Sequence, residues 1–296
     1  ATQNGLDPDQ ANDAERFCNA AYASLMNQRD VKLWAWGDVR SDDAYKGGGG
    51  TNDGYTEHCY ETGTHIVTTF NEPDGYWFAQ YCGISRVNTA LNALNLVSEK
   101  EFPNKVTRQA EMRFLREHFY FLLKLLFKNI PFVDETVPEH QYQYISNVAL
   151  TDVEMWDKII EDFKFAFDNL PEKQADLGRA NKYAAAAYLA KANLYKAYRQ
   201  NEKYEVTSID AGDLEEVVKY TGEVLKSSYG LETDFAYNFM PEFENGKESI
   251  FAIQFSKDDG TMFGNLNFAD FLSVPQGLGC CDFHKPSQNL VNAFKT

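Results

Sequence analysis

Between Trp34 and Trp77 the chain gathers the side chains best suited to chemistry. Tyr45, Tyr55 and Tyr60 join Trp34, Trp36 and Trp77 as aromatics, and Asp42, Asp43, Lys46, Asn52 and Asp53 supply polar groups among them. A sugar ring offers flat apolar C–H faces and many hydroxyls. It is held by an aromatic platform and a few side chains that take paired hydrogen bonds. The same residues also suit a solvated loop whose tyrosines pack on neighbouring helices. Trp34 and Trp36 alternate, so one of them should face the core. Trp77 and Trp156 fall on apolar stripes and are expected inside.

Other chemistries find less support. Asp42-Asp43 lacks an EF-hand pattern around it, and His58 and His65 have no useful ligand spacing, so loop hydrogen bonding is the better use of these carboxylates. Gly47 to Gly50 has no framing strand, Lys-Ser/Thr or following helix, and reads as a flexible turn rather than a phosphate loop. The five histidines are scattered, and no nucleophile–base arrangement can be argued. Cys18, Cys59, Cys82, Cys280 and Cys281 make an odd number with no CxxC. A zinc ribbon or disulfide scaffold is therefore not supported, and Cys280-Cys281 reads as two small buried residues rather than a vicinal bridge. No catalytic residue, metal site or cofactor is assigned.

Helices must position the aromatic stretch. The spacing of apolar residues predicts them over about 9–29, 75–99, 104–128, 151–170, 181–199 and 213–227. Asn88 sits beside the stripe of the second and should tie helix to loop. The third carries two stripes, which predicts burial on both sides. Arg113 and Arg116, next to Glu111 and Glu117 on it, read as structural ion pairs. Thr151-Asp152-Val153-Glu154 is a capping box. The Ala-rich fifth helix allows a close axis-to-axis approach. The sixth opens at Asp213-x-x-Glu216 and should bury Leu214, Val217, Val218, Val224 and Leu225. Helices five and six suit a loose tetratricopeptide-like hairpin. Alternation of Phe251, Ile253 and Phe255 predicts a strand over 248–256, short strands are expected around His65–Thr69, and a last helix starts near Ser287. Residues 34–76 otherwise read as a long functional loop.

The surface is acidic, with a net charge of −16 and a pI near 4.7. Such a surface repels phosphate backbones and anionic bilayers, so nucleic acid is not an expected partner. No apolar run reaches the roughly 18 residues of a membrane helix.

Several blocks in order resemble the SusD-like (RagB/SusD) family: Gly37-Asp38-Val39-Arg40-Ser41-Asp42-Asp43-Ala44, Ile84-Ser85-Arg86-Val87-Asn88-Thr89-Ala90-Leu91, Ala110-Glu111-Met112-Arg113-Phe114-Leu115-Arg116, Ile130-Pro131-Phe132-Val133, Gly178-Arg179-Ala180-Asn181-Lys182 and Pro286-Ser287-Gln288-Asn289-Leu290. The resemblance spans essentially the whole chain. It implies a mainly α fold of tetratricopeptide-like hairpins with loop-rich insertions and a little β structure. That would be one domain over 1–296: a helical scaffold over about 9–230 with the insertion 34–76, then a loop and β segment over 231–296. Compared with the family pattern, the lipid-anchor cysteine and a C-terminal portion are missing, since Cys18 lies inside the first helix. The resemblance also implies a non-catalytic lipoprotein on the outer face of the outer membrane. It would capture oligosaccharide or polysaccharide and hand it to a SusC-like TonB-dependent transporter. Because family sites draw on loops after the first helix, Asp43, Tyr45, Lys46 and Tyr55 are the expected ligand-binding residues. Two other classes remain open from the residues alone. A helical glycoside hydrolase would need two carboxylates across a cleft. A peptide-binding repeat adaptor would need its repeats to continue at constant period.

Overall fold

The helix over Asp152–Asn169 shows how local sequence sets the scaffold. Thr151 Oγ1 accepts from the Glu154 amide at 3.3 Å, and Glu154 Oε2 accepts from the Thr151 amide at 2.8 Å, closing the capping box. The structure is a computed structural model and describes residues 11–25, 33–66, 72–255, 273–274, 278 and 281–295. In chain order the helices are α1 (Ala11–Ala23), α2 (Tyr55–Thr62), α3 (Glu72–Leu96), α4 (Lys105–Phe127), α5 (Asp152–Asn169), α6 (Lys182–Ala197), α7 (Ala211–Leu225) and α8 (Gln288–Ala293). Strands β1 (Ala44–Gly47), β2 (Tyr198–Gln200), β3 (Val206–Ile209) and β4 (Phe283–Pro286) form two antiparallel pairs, β1 with β4 and β2 with β3. The fold is therefore mainly α with little strand. No helix among the described residues is long and apolar enough to cross a membrane.

Two compact units emerge, residues 1–23 with 80–254, and residues 24–79 with 255–296. In the first, α4 to α7 pack in sequence as successive neighbours. α4 is buried on both sides, as its two stripes require: Phe114, Leu115, Phe119, Tyr120, Phe121 and Leu123 are almost wholly inaccessible. Gly83 of α3 meets the Phe119 ring where any Cβ would clash at 2.6 Å, so the glycine permits that approach. The Ile130–Val133 segment is pinned by side chains of α3 and α4. Tyr81 donates to the Pro131 carbonyl, and Asn88 Nδ2 and the Tyr120 hydroxyl both donate to that of Val133. Asn88 thus ties helix to loop.

A second polar knot joins α1, α4 and the turn before α6. Glu111, fully buried, accepts from Arg108 at 2.6 Å, Arg179 at 2.8 Å and Gln174 at 3.0 Å. Both guanidiniums also reach Glu15. Asn181 then caps α6, its Oδ1 accepting from the Ala184 amide at 2.9 Å.

Several expectations need correction. The 34–76 stretch is not one long loop; it holds a π-helical turn over Ala35–Val39, β1 and α2, and α3 begins within it. The phase of α3 is shifted by one residue at its start, so Tyr76 rather than Trp77 takes the buried position. α7 starts earlier, capped by Asp210, and buries Asp213 and Tyr220. Val218 and Leu225 on it are 72% and 83% exposed rather than buried. No strand forms over Glu248–Phe255. Phe251 instead packs edge-on against Phe114 with centroids 5.1 Å apart, and Glu248–Phe255 shows no strand alternation of burial. Of the strands expected near His65–Thr69, His65 and Ile66 are irregular and the rest lie outside the described residues. Cys18, Cys59 and Cys82 are free thiols, whereas Cys281 is disulfide-bonded, which overturns the reading of an unbridged pair; Cys280 lies outside the described residues.

Candidate aromatic site on the β1–β4 ribbon

The site is built in the second unit from the π-helical turn, β1, α2 and β4. Ala35, Val39 and Ala44 form a small apolar centre, with Trp34 and Tyr60 packed on it. β1 alternates: Ala44 and Lys46 point inward while Tyr45 stands outward at 47% exposure. Opposite Tyr45 in the ribbon is Lys285, itself exposed and paired to Asp282 at 2.6 Å. Asp43 leads into β1. Its carboxylate accepts from the Ser41 hydroxyl at 3.0 Å, and its carbonyl accepts from the Ser287 amide at 2.9 Å. Beside them His284 stacks on Trp34, with centroids 4.8 Å apart and 21° between the planes, and its Nε2 lies 2.8 Å from Asp38 Oδ2. Trp36 packs on Tyr60 at 5.0 Å and Tyr76 at 5.8 Å. The turn is helical, so both tryptophans are partly buried and neither simply faces away from the other.

The four expected ligand residues part company here. Asp43 and Tyr45 come together on the exposed side of the ribbon. Lys46 does not join them, and its expected contact with a ligand is replaced by a structural one. Its ammonium donates to the carbonyls of Gly47, Gly50 and Asp53 at 2.7, 2.8 and 2.7 Å, which uses all three of its donors. Tyr55 opens α2 half-buried, and its phenol is pushed above the ordinary range first by a hydrogen bond with the Cys59 side chain. Sequence reasoning missed His284, Lys285 and Asp38. His284 and Lys285 reach the site through a strand pairing between residues some 240 positions apart, for which the local pattern carries no signal, and Asp38, on the π-helical turn, gains its role only through His284.

The glycines before α2 serve this geometry. Gly47 and Gly48 have φ of +74° and +72°, and a Cβ on Gly47 would fall 2.0 Å from the Asp282 carbonyl oxygen. The run therefore lets β4 lie directly on the turn. Lys46 then fixes the turn from inside, so Lys46→Met should loosen it without touching the exposed face. Losing three charge-assisted hydrogen bonds at a partly wet site should cost about 2–3 kcal/mol locally. The amides of Gly48, Gly49 and Asp53, now bonded to Asp282, Asp53 and Gly50, should exchange roughly 30- to 150-fold faster, as followed by hydrogen–deuterium exchange.

Comparison with known proteins places this architecture. A family model described as SusD-like, "Starch-binding associating with outer membrane", matches residues 9–194. A SusD-like protein of Bacteroides ovatus is 26% identical over 95% of this chain and 51% of its own length. Surface glycan-binding protein A from Bacteroides thetaiotaomicron, solved in complex with laminarihexaose, superposes with a TM-score of 0.76 at 19% identity, covering 96% of this chain and 60% of that one. A laminarin-binding SusD-like protein superposes with a TM-score of 0.68 at 22% identity over 82% of this chain and 51% of its own. The chain spans about half the length of the curated relative it matches. With the family match running through more than half of its residues, and the helical scaffold shared with solved members, this chain belongs to the SusD-like family.

Proposed function

We propose that this chain captures a neutral oligosaccharide or polysaccharide at the outer face of the outer membrane and passes it to a SusC-like TonB-dependent transporter, without catalysis. The observation that carries the reading is the outward Tyr45 ring on a strand held rigid by Lys46, in a chain of this family. Solved proteins with this fold include one named for laminarin and one complexed with laminarihexaose. Tyr45 offers a face for the C–H side of a pyranose. Asp43 accepts from sugar hydroxyls, Lys285 across the ribbon donates to them, and Tyr55 contributes its ring rather than its hydroxyl. An open platform buries less of a ligand than a closed pocket, so affinity is modest.

Affinity gels cast with laminarin, xyloglucan or starch test this. The purified chain should be retarded by at least one polymer, and Tyr45→Ala should weaken that retention roughly tenfold, the worth of one good aromatic contact. The melting temperature should stay unchanged, because the ring packs on nothing essential. Release of reducing ends by the pure protein would identify an enzyme instead. Retention untouched by both Tyr45→Ala and Asp43→Ala would move the site elsewhere.

A further inference from the structure

A second aromatic cleft lies in the first unit, where the C-terminal end of α4, the start of α5, the end of α6 and the β2–β3 hairpin meet. It has a volume of about 180 Å³. Trp156 and Tyr195 form one wall as nearly parallel rings, 5.7 Å apart with 13° between planes. Tyr204 is 66% exposed in the same cleft, with the Lys128 ammonium 4.1 Å over its ring. Tyr195 is 47% exposed and Tyr198 is exposed beside it. Helix termini and hairpins ordinarily leave such positions polar, so three solvent-facing tyrosines converging on one hollow is not required by the core.

The polar groups point to what would fill it. Lys124 is only 5% exposed and lines the cleft. Its ammonium donates to the Lys128 carbonyl at 2.7 Å and to Asp152 Oδ1 at 2.5 Å. An ammonium carries three donors, so these two bonds leave one N–H, and the ammonium lies 5.7 Å from the centroid of the Trp156 ring on the cleft wall. Asp152 beside it keeps a second carboxylate oxygen, with the side chain one-third exposed. A donor and an acceptor held side by side match a vicinal diol, in which one hydroxyl accepts while its neighbour donates. An aromatic wall next to such a pair is the surface a pyranose recognises, with its C–H face on the ring and its hydroxyls on the ion pair.

We infer that this cleft is a second carbohydrate subsite, sized for one sugar residue with adjacent free hydroxyls, on a different unit from the Tyr45 platform. The volume falls below the roughly 300–1,000 Å³ of ordinary ligand pockets, which fits a single ring rather than a chain segment. The Gln200 amide at the rim offers a further donor and acceptor.

The test reads the cleft directly. Two-dimensional ¹H–¹⁵N spectra of the whole chain would be recorded with the methyl glycosides of glucose, galactose, mannose, xylose, arabinose and N-acetylglucosamine. At least one glycoside should shift the Trp156 indole N–H and the Gln200 amide. It should do so equally in Tyr45→Ala, which separates this subsite from the ribbon platform. In the double variant Tyr195→Ala/Tyr204→Ala the apparent affinity should fall at least fivefold. Circular dichroism would check its fold, and Gln200→Ala, with a smaller loss expected, gives a second variant that leaves the aromatic packing intact. No shift at Trp156 or Gln200 with any glycoside would overturn the inference. So would shifts that survive both variants, or a mixture of short peptides moving these resonances where sugars do not.

Discussion

Arg116→Ala should lower stability by about 3–5 kcal/mol and the melting temperature by about 10–15 °C, the largest loss expected from a single substitution in this chain. Arg116 Nε and Nη2 both donate to Asp162 Oδ2, at 2.9 and 2.5 Å, and Nη1 donates to Asn88 Oδ1 at 3.1 Å and to Glu135. Burial works against the guanidinium charge, but the carboxylates of Asp162 and Glu135 offset it and hold the group above its already high range. Arginine suits this place because its planar fork reaches three elements at once, α5, the segment after Val133 and Asn88 on α3. Removing it strands Asp162 and Glu135 with Arg113 alone, 3.3 Å from Asp162. Arg116→Lys should recover little, since one ammonium cannot span Asp162, Asn88 and Glu135 at once. Urea unfolding of the two variants checks both statements. A midpoint for Arg116→Ala within about 1 kcal/mol of the parent would mean that water relieves the stranded carboxylates.

That network also marks what the sequence could disclose. α4 was legible because both its stripes and its family block sit on one helix, and the α5 cap was legible because Thr151 and Glu154 are three residues apart. Arg116 was readable as a structural ion pair, but not its partners, since Asp162 and Glu135 lie 46 and 19 positions away. The same distance rule governs the candidate site. Asp43 lies in a local sequence block and Tyr45 follows Asp43 by two residues, and both lie on the surface. Lys46 reads identically in sequence, yet β-strand alternation turns it inward, and only the register against β4 decides which parity faces out. His284 and Lys285 arrive through that pairing and had no local signature. α7 misled because its apolar residues keep helical spacing on a side that the described residues leave open, so periodicity marked a face without saying whether anything covers it.

The pH response of stability should rest on two neighbours that oppose each other. Glu117 is wholly buried; burial first, and then the Asp162 carboxylate, push it well above its ordinary range, with Arg116 3.6 Å away working the other way. The charge count agrees, because Arg113 and Arg116 already balance Asp162 and Glu135, so a neutral Glu117 leaves the cluster uncharged. His118 bonds Tyr188 through Nδ1 at 2.7 Å, and its Nε2 is buried without a partner. Burial, with a smaller push from Lys191, brings it down to about 4. The native state keeps the Glu117 proton to higher pH than the unfolded chain does. Between about pH 4 and 6.5 it lacks a proton on His118 that the unfolded chain holds. The raised carboxyl favours folding at low pH and loses that advantage as pH rises. The lowered imidazole favours folding above about 6.5 and loses it as pH falls towards 4. The two slopes are opposite in sign, so the parent should respond less to pH than a variant that keeps only one of the groups. Glu117→Gln should unmask the histidine and lose about 2–3 kcal/mol between pH 6.5 and 4.5, while His118→Gln should lose stability as pH rises. Urea midpoints at half-unit steps would show the two variants sloping in opposite directions. If Glu117→Gln follows the parent at every pH, Glu117 is ionised in the native state and the charge balance of the Arg116 cluster must be struck some other way.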